Sequence, residues 1–237
     1  MLVLELFAPF AVCRTFTAGW YRPTAAFLTP SAAYGLLLNL AGQETRLPEH
    51  DPNHPGNIPA TLTRPGLPAV RLAIGKPETA DYPVVQTLYQ QLHNYPVGAS
   101  GKDRAAAAHG NKYNITPVRR ELLVNLHAII GLDGNPELEE NIRRGLAGEM
   151  NVGRYGLPFV GDNSFLPDFI HILEEVPSAC WYEKIDATAD SAQRRATRLT
   201  VWIDRADLSK TVSHLYAPSA EASRTIPVGA WTPISPP

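Results

Sequence analysis

Apolar residues alternate from the first position of this chain. Leu2, Leu4 and Leu6 fall on one side of an extended segment, and Val3, Glu5 and Phe7 on the other. Both sides are largely apolar, so residues 1–12 are predicted to form an interior sheet strand, covered by helices on one face and incompletely on the other. The strand begins at residue 1, and no tail is expected ahead of it. The period then changes. Ala33, Leu36, Leu37 and Leu40 recur at helical spacing within residues 29–42. Thr29 is placed to cap that helix, Pro30 sits where its missing N–H costs nothing, and Gly42 ends it. Gly35, inside the helix, costs roughly 1 kcal/mol against alanine. It has two readings: a site of close backbone approach, or a tolerated defect.

Pro48, Pro52, Pro55, Pro59, Pro65 and Pro68 break up residues 43–68, which read as an irregular insertion. Val70, Leu72 and Ile74 then alternate in a strand over 69–75. Residues 83–95 fit two templates: Val84, Val85, Leu88 and Leu92 suit a helix, whereas Val85, Thr87 and Tyr89 suit a strand. Residues 98–120 form a glycine-bounded basic excursion. After it, alternation resumes through Leu122, Val124, Leu126, Ala128 and Ile130 and ends in a turn at Gly131–Gly134. A second helix is predicted over 136–146, with Pro136 first, acids in its first turn and Arg143 and Arg144 in its last. Five glycines between 145 and 161 mark turns, strands follow at 178–185 and 195–203, and residues 217–237 form a proline-rich tail with only short regular pieces. No repeat and no strong linker interrupts this order. It predicts one α+β domain over 1–237: a ferredoxin-like sheet carrying an insertion.

Composition narrows the function. The chain has 237 residues, 44% hydrophobic and 19% charged, with 22 prolines and 17 glycines. That is enough for one full core and for abundant irregular connections. The net charge of −2 argues against a protein that searches nucleic acid alone; any positive surface has to be local or shared with partners. Cys13 and Cys180 form no CxxC, so no zinc or iron–sulfur motif is legible, and two inert thiols in an intracellular chain is the plainer reading. The apolar N-terminus lacks a basic leader and a cleavage site, and no apolar run reaches membrane-spanning length, so a cytoplasmic protein is expected. Dinucleotide, P-loop, HExxH and GxSxG motifs are absent, so no cofactor is called for. His50 and His54 have metal-like spacing, but Pro48, Pro52 and Pro55 exclude the helix that would align them. Asp81, Asp103, Asp162 and Asp168 form no paired-acid motif.

Three segments carry candidate chemistry. Arg14, Trp20, Tyr21 and Arg22 lie between the first strand and the first helix, where arginines hold phosphates and aromatics stack bases. The plainer reading is a loop packed by its own rings. The basic excursion places Lys102, Arg104, Lys112, Arg119 and Arg120 against one acid, Asp103, with His109 and Tyr113 nearby. Charge on a flexible loop suits a phosphate clamp, because phosphates need charge more than fixed geometry. A solvated hairpin is the alternative. The third is Gly153-Arg154-Tyr155-Gly156, whose glycines let a backbone approach a ligand while Arg154 meets phosphate and Tyr155 a base. Here a tight structural turn, built on Gly153 and Gly156, competes.

The segments LELFAPFAVCR at 4–14, TPSAAYGLLLNLAG at 29–42, TPVRRELLVNLHAII at 116–130 and GRYGLPFVGDNSFLPD at 153–168 occur in fixed order. As a set they resemble the CRISPR-associated RAMP-fold family that binds the 5′ handle of guide RNA in Cascade-type complexes, most closely its fruiting-body-development (DevS) branch. The resemblance implies a ferredoxin-like, RRM-type domain with a thumb-like insertion, here about 98–120. It implies a non-catalytic subunit that holds the crRNA 5′ handle and contacts the large and backbone subunits. Target DNA would be met only through the complex. Arg14 and the Trp20–Arg22 loop would line the handle site, and 98–120 would pack near the handle–spacer junction. Two other functions stay open. Some relatives cleave precursor RNA with a histidine, a lysine and a tyrosine, and His109, Lys112 and Tyr113 lie within five positions. The low charge also permits a protein-interaction subunit without RNA contact.

Overall fold

The computed structural model describes residues 1–15, 21–47, 62–96, 113–150, 153–154, 156–185 and 195–236, with backbone alone at 91–96 and 113–116. In chain order the elements are β1 (Leu2–Ala11), β2 (Tyr21–Arg22), α1 (Pro30–Leu40), β3 (Val70–Pro77), β4 (Val84–Pro96), β5 (Tyr113–Asp133), α2 (Pro136–Ala147) and β6 (Phe169–Leu173). They are followed by β7 (Ala179–Lys184), β8 (Thr197–Trp202), β9 (Val212–Pro218) and β10 (Thr232–Ile234).

The strand order is β6-β1-β5-β3-β7-β9-β8. Its first four members are antiparallel and, with α1 and α2, make the β-α-β-β-α-β ferredoxin-like unit. β4 pairs with β5 from Val84↔Val124 out to Pro96↔Tyr113, so a long hairpin leaves the body of the sheet between β3 and β5. β2 lies parallel to β5 through Tyr21↔Arg119 and Arg22↔Arg120.

Both helices form where capping chemistry places them. The Thr29 hydroxyl accepts the Ala32 N–H at 3.2 Å, Pro30 begins α1, and Gly42 takes φ +66 just beyond its end. Asn135 does the same for α2, accepting the Leu138 N–H at 2.9 Å, and Gly148 closes it at φ +75. The helices touch at Gly145, where an added Cβ would collide with the Leu40 carbonyl. Leu4, Leu6, Leu37, Leu38, Leu126 and Ile130 are fully buried between helices and sheet. Each such side chain contributes roughly 1.5–3 kcal/mol through its burial. On the opposite face, Val3, Ile129 and Trp181 form a smaller cluster, covered by Ile226, Ala230 and Trp231 of the C-terminal segment. That cover explains the apolar second side of β1.

One open reading is settled and two expectations change. The segment from 83 is strand: Val84, Val85 and Leu88 are 54%, 41% and 37% exposed, so the helical apolar stripe had no core to meet. The second half of the basic excursion is not loop, because β5 begins at Tyr113, and it runs to Asp133 before the turn at Gly134. The alternation through Leu122, Val124 and Leu126 slips phase. Leu123, not Leu122 or Val124, joins Leu126, Ala128 and Ile130 in the helix-side core. Asn125 stands at φ +59 opposite the Pro9 position, and β1 slips with it, from Ala8 to Ala11, while the register Ala8↔Leu126, Phe10↔Val124, Ala11↔Leu123 is kept. Asparagine tolerates the left-handed conformation and proline needs no ladder hydrogen bond, so both strands turn over together.

Candidate nucleic-acid interface

The chain leaving β1 is fastened before it reaches α1. The Cys13 N–H donates to the Thr24 hydroxyl at 3.0 Å, and the Ala25 N–H to the Cys13 carbonyl at 2.7 Å. This closure brings β2 against β5 and sets Arg14 beside Asp162. The Arg14 guanidinium donates to Asp162 Oδ2 at 3.0 Å, Arg120 donates to the same oxygen, and the Ser164 N–H donates to Oδ1 at 2.9 Å. Asp162 and Arg120 are each 7% exposed, whereas the Arg14 side chain is 56% exposed. Burial alone would raise the Asp162 pKa. The Ser164 hydrogen bonds and the Arg120 guanidinium outweigh burial and hold it down to about 2. The carboxylate therefore stays charged and grips Arg14 while leaving most of that guanidinium in solvent. Gly161 makes this possible: it takes φ +73, and a Cβ there would collide with the Val12 carbonyl.

Arg14 opens onto a cavity of about 590 Å³. One wall is the outer side of α1, with Thr29, Ser31, Gly35 and Asn39; the others hold Arg14, Arg22, Glu44, Arg46 and Arg205. Arg46 is tied to Glu44 through Nε at 3.2 Å and Nη2 at 3.1 Å. Arg205 is pushed below its ordinary value by burial and by the charge of Arg14. Among the described residues, neither Arg22 nor Arg205 is paired with a carboxylate. Guanidinium groups clustered around one cavity favour an anionic occupant. The volume lies in the range of small-ligand sites and has room for one nucleotide.

On the outer face of the β2–β5 pair, the Tyr21 hydroxyl donates to Glu121, whose Oε2 accepts the Thr24 N–H at 3.2 Å. The bond to Glu121 raises the Tyr21 pKa, so the phenol stays protonated. The Arg119 guanidinium lies 5.1 Å from the centre of the Tyr21 ring. Neighbouring residues of a strand point to opposite faces, so Tyr21 meets Arg119 while Arg22 lines the cavity.

The structure thus gathers Arg14, Tyr21, Arg22, Arg119 and Arg120 around Asp162 and the β2–β5 pair. Arg154 has a different employment: it donates to the Gly145 carbonyl at the C-terminal end of α2. Trp20, Lys102, Arg104, His109, Lys112 and Tyr155 lie outside the described residues, and Tyr113 is described only as backbone opening β5. Of the three glycines singled out, Gly156 takes φ +75, a Cβ at Gly153 would meet open space, and Gly35 opens onto the cavity rather than onto another backbone. Asp162, Glu121, Arg46 and Arg205 were not legible as site residues. Asp162 alone left a trace, a short acid between Gly161 and Asn163 where a turn was expected. Among the described residues no three His, Cys, Asp or Glu side chains converge as a metal site, both cysteines are free, and no helix is long and apolar enough to cross a membrane.

Comparison with known proteins supplies the frame. No curated protein matches the sequence. A solved chain titled "CRISPR RNA-guided surveillance complex" superposes with a TM-score of 0.54 at 13% identity, covering 94% of this chain and 91% of that one. A second, titled "Crystal structure of Cas protein", gives a TM-score of 0.46 at 13% identity over 93% of each chain. At such identity the first of these likenesses speaks for the fold. The sequence itself matches a family description over residues 1–234, nearly its whole length, and on that match the chain belongs to the CRISPR-associated protein (Cas_Cas5) family.

Proposed function

We propose that this chain is a non-catalytic, RNA-holding subunit of a type I CRISPR surveillance (Cascade) complex in the cytoplasm, and that it grips the 5′ handle of crRNA. The observation that carries the reading is the double hold of Asp162 on Arg14 and Arg120. It joins the arginine-lined cavity beside α1 to the base of the β4–β5 hairpin, so that one strand of RNA can run along both. Phosphates meet Arg14, Arg22 and Arg205, and hydroxyl and amide groups of α1 face the sugar or base. The hairpin and the basic residues at 98–120 take the place of the thumb near the handle–spacer junction. The same subunit helps to assemble the large and backbone subunits, and target DNA is reached only through the complex. The order of the four motif segments supports the fruiting-body-development branch. A net charge of −2 fits a subunit that shares its electrostatic work with neighbours.

The test is retention of guide RNA by the assembled complex. Arg14→Ala with Arg22→Ala should lower RNA occupancy and flatten its logarithmic salt dependence by roughly 0.7 for each phosphate that is no longer neutralised. Unchanged occupancy and slope would remove the groove from the RNA path. Precursor RNA that contains the repeat should stay uncut by the purified protein with or without Mg²⁺. Site-specific cleavage that vanishes in His109→Ala would make the chain a processing nuclease instead.

A further inference from the structure

One row of side chains crosses three strands beside the groove. Tyr21 of β2 and Tyr89 of β4 are both register partners of Arg119 in β5, so the order across the sheet is tyrosine, arginine, tyrosine. Adjacent strands lie about 4.8 Å apart, which puts the two tyrosines roughly 10 Å from each other with the guanidinium between. Arg119 is exposed, Tyr21 is 43% exposed and Tyr89 is 79% exposed. Tyr21 is fixed from below by Glu121 and carries Arg119 against its ring. Tyr89 has no such anchor, yet its side is determined. The next residue, Gln90, accepts a hydrogen bond from Arg120 at 3.0 Å on the opposite face, and Arg120 is held by buried Asp162. A one-residue slip of β4 would break that bond and turn Tyr89 away.

We propose that Tyr89 and Arg119 form a stacking platform for a single unpaired nucleobase of the bound RNA. This rests on the RNA-holding reading above and extends the site to a strand of the hairpin. The chemistry is that of single-strand recognition: an open aromatic face offers stacking, a neighbouring guanidinium offers cation–π contact and phosphate charge, and no free carboxylate stands in the row, because Glu121 is engaged by Tyr21. A strand tyrosine 79% exposed contributes little to folding through burial.

The test uses the complete complex reconstituted on guide RNAs that carry 2-aminopurine at one position at a time through the handle and the first spacer nucleotides. With wild-type protein one position should be quenched by stacking. Tyr89→Ala should relieve that quenching, with the stacked-to-unstacked ratio falling about fivefold or more. Tyr89→Phe should keep it, because the ring and not the hydroxyl does the stacking. Arg119→Ala should weaken it at the same position. RNA occupancy is measured in the same Tyr89→Ala samples, so that lost quenching is scored on bound RNA. Full occupancy with every probe unchanged in Tyr89→Ala would overturn the platform and leave the RNA-holding reading standing. Tyr89→Phe behaving like Tyr89→Ala would also overturn it. So would loss of a protein subunit from the Tyr89→Ala complex at normal RNA occupancy, because the ring would then be a protein contact. Wild-type protein that leaves all probes unquenched and releases RNA freely would defeat the underlying reading itself.

Discussion

β5 is one strand of 21 residues with two characters. From Leu126 to Leu132 its even-numbered side chains are wholly buried under α1 and α2, and the strand is paired by β1 along one edge and, from Ile129 onward, by β3 on the other. From Pro117 to Leu122 it is flanked only by β4 and two residues of β2, and Pro117 and Arg119 face solvent. The body half is held on both edges, whereas the hairpin half has β4 along one edge and only two residues of β2 on the other. Burial differs as well, but on one face only: Val118, Arg120 and Leu122 are buried in the hairpin half, while Pro117 and Arg119 on its other face are exposed, where Ile129 and Gly131 of the body half are covered. The body half makes the domain stable, and one face of the hairpin half is left free to carry charge and rings that bind.

This contrast can be broken at several points. Leu126→Ala removes a side chain that has no access to solvent and should cost about 2–5 kcal/mol in denaturant unfolding. A cost near zero would mean that the body half is not the structural one. The next effect tests the joint between the halves. The folded Asp162 carboxyl lies at about 2, below its ordinary 3.8, so its contribution is complete above about 4 and is lost as pH falls through the folded value. Wild type should therefore lose stability between about pH 4 and 2, and Asp162→Asn should be less stable at neutral pH and lose less across that window. Parallel acid profiles for the two proteins would show that Asp162 does not clamp the hairpin. The smallest effect belongs to the hairpin itself. Leu88→Thr alters a residue already 37% exposed and should change stability by less than about 0.5 kcal/mol by the same measurement.

The sequence carried the body well and the hairpin poorly, for physical reasons. Helix ends depend on local chemistry, and Thr29, Pro30 and Gly42 announced α1 within a residue or two. β1 was legible because its alternation reports a buried face. β4 was ambiguous because Val84, Val85 and Leu88 all stay largely exposed and none joins the core, so their spacing encodes no face. The slip at Asn125 was hidden because its cause lies in two strands at once, and only the pairing of Ala8 with Leu126 and Ala11 with Leu123 reveals it. At the site, Arg14, Tyr21 and Arg22 could be named from residue type, since guanidinium and aromatic groups between strand and helix suggest their chemistry. Asp162 could not, because its role depends on Arg14 and Arg120, which are 148 and 42 residues away. Arg154 shows the converse. Its neighbours looked like a ligand loop, but its guanidinium is spent on a carbonyl at the end of α2.

The joint turn-over of β1 and β5 at Pro9 and Asn125 has a consequence for how this protein can vary in length. Upstream of it, β5 is tied to the hairpin; downstream, to the core. Adding two residues to each strand of the hairpin would advance its tip by roughly 7 Å and return every side chain to its own face. No buried residue of the body would have to move, because the inserted rungs pair only with each other. Reach along a bound strand is thus a dimension that can be lengthened or trimmed in even steps, independently of the architecture that supports it.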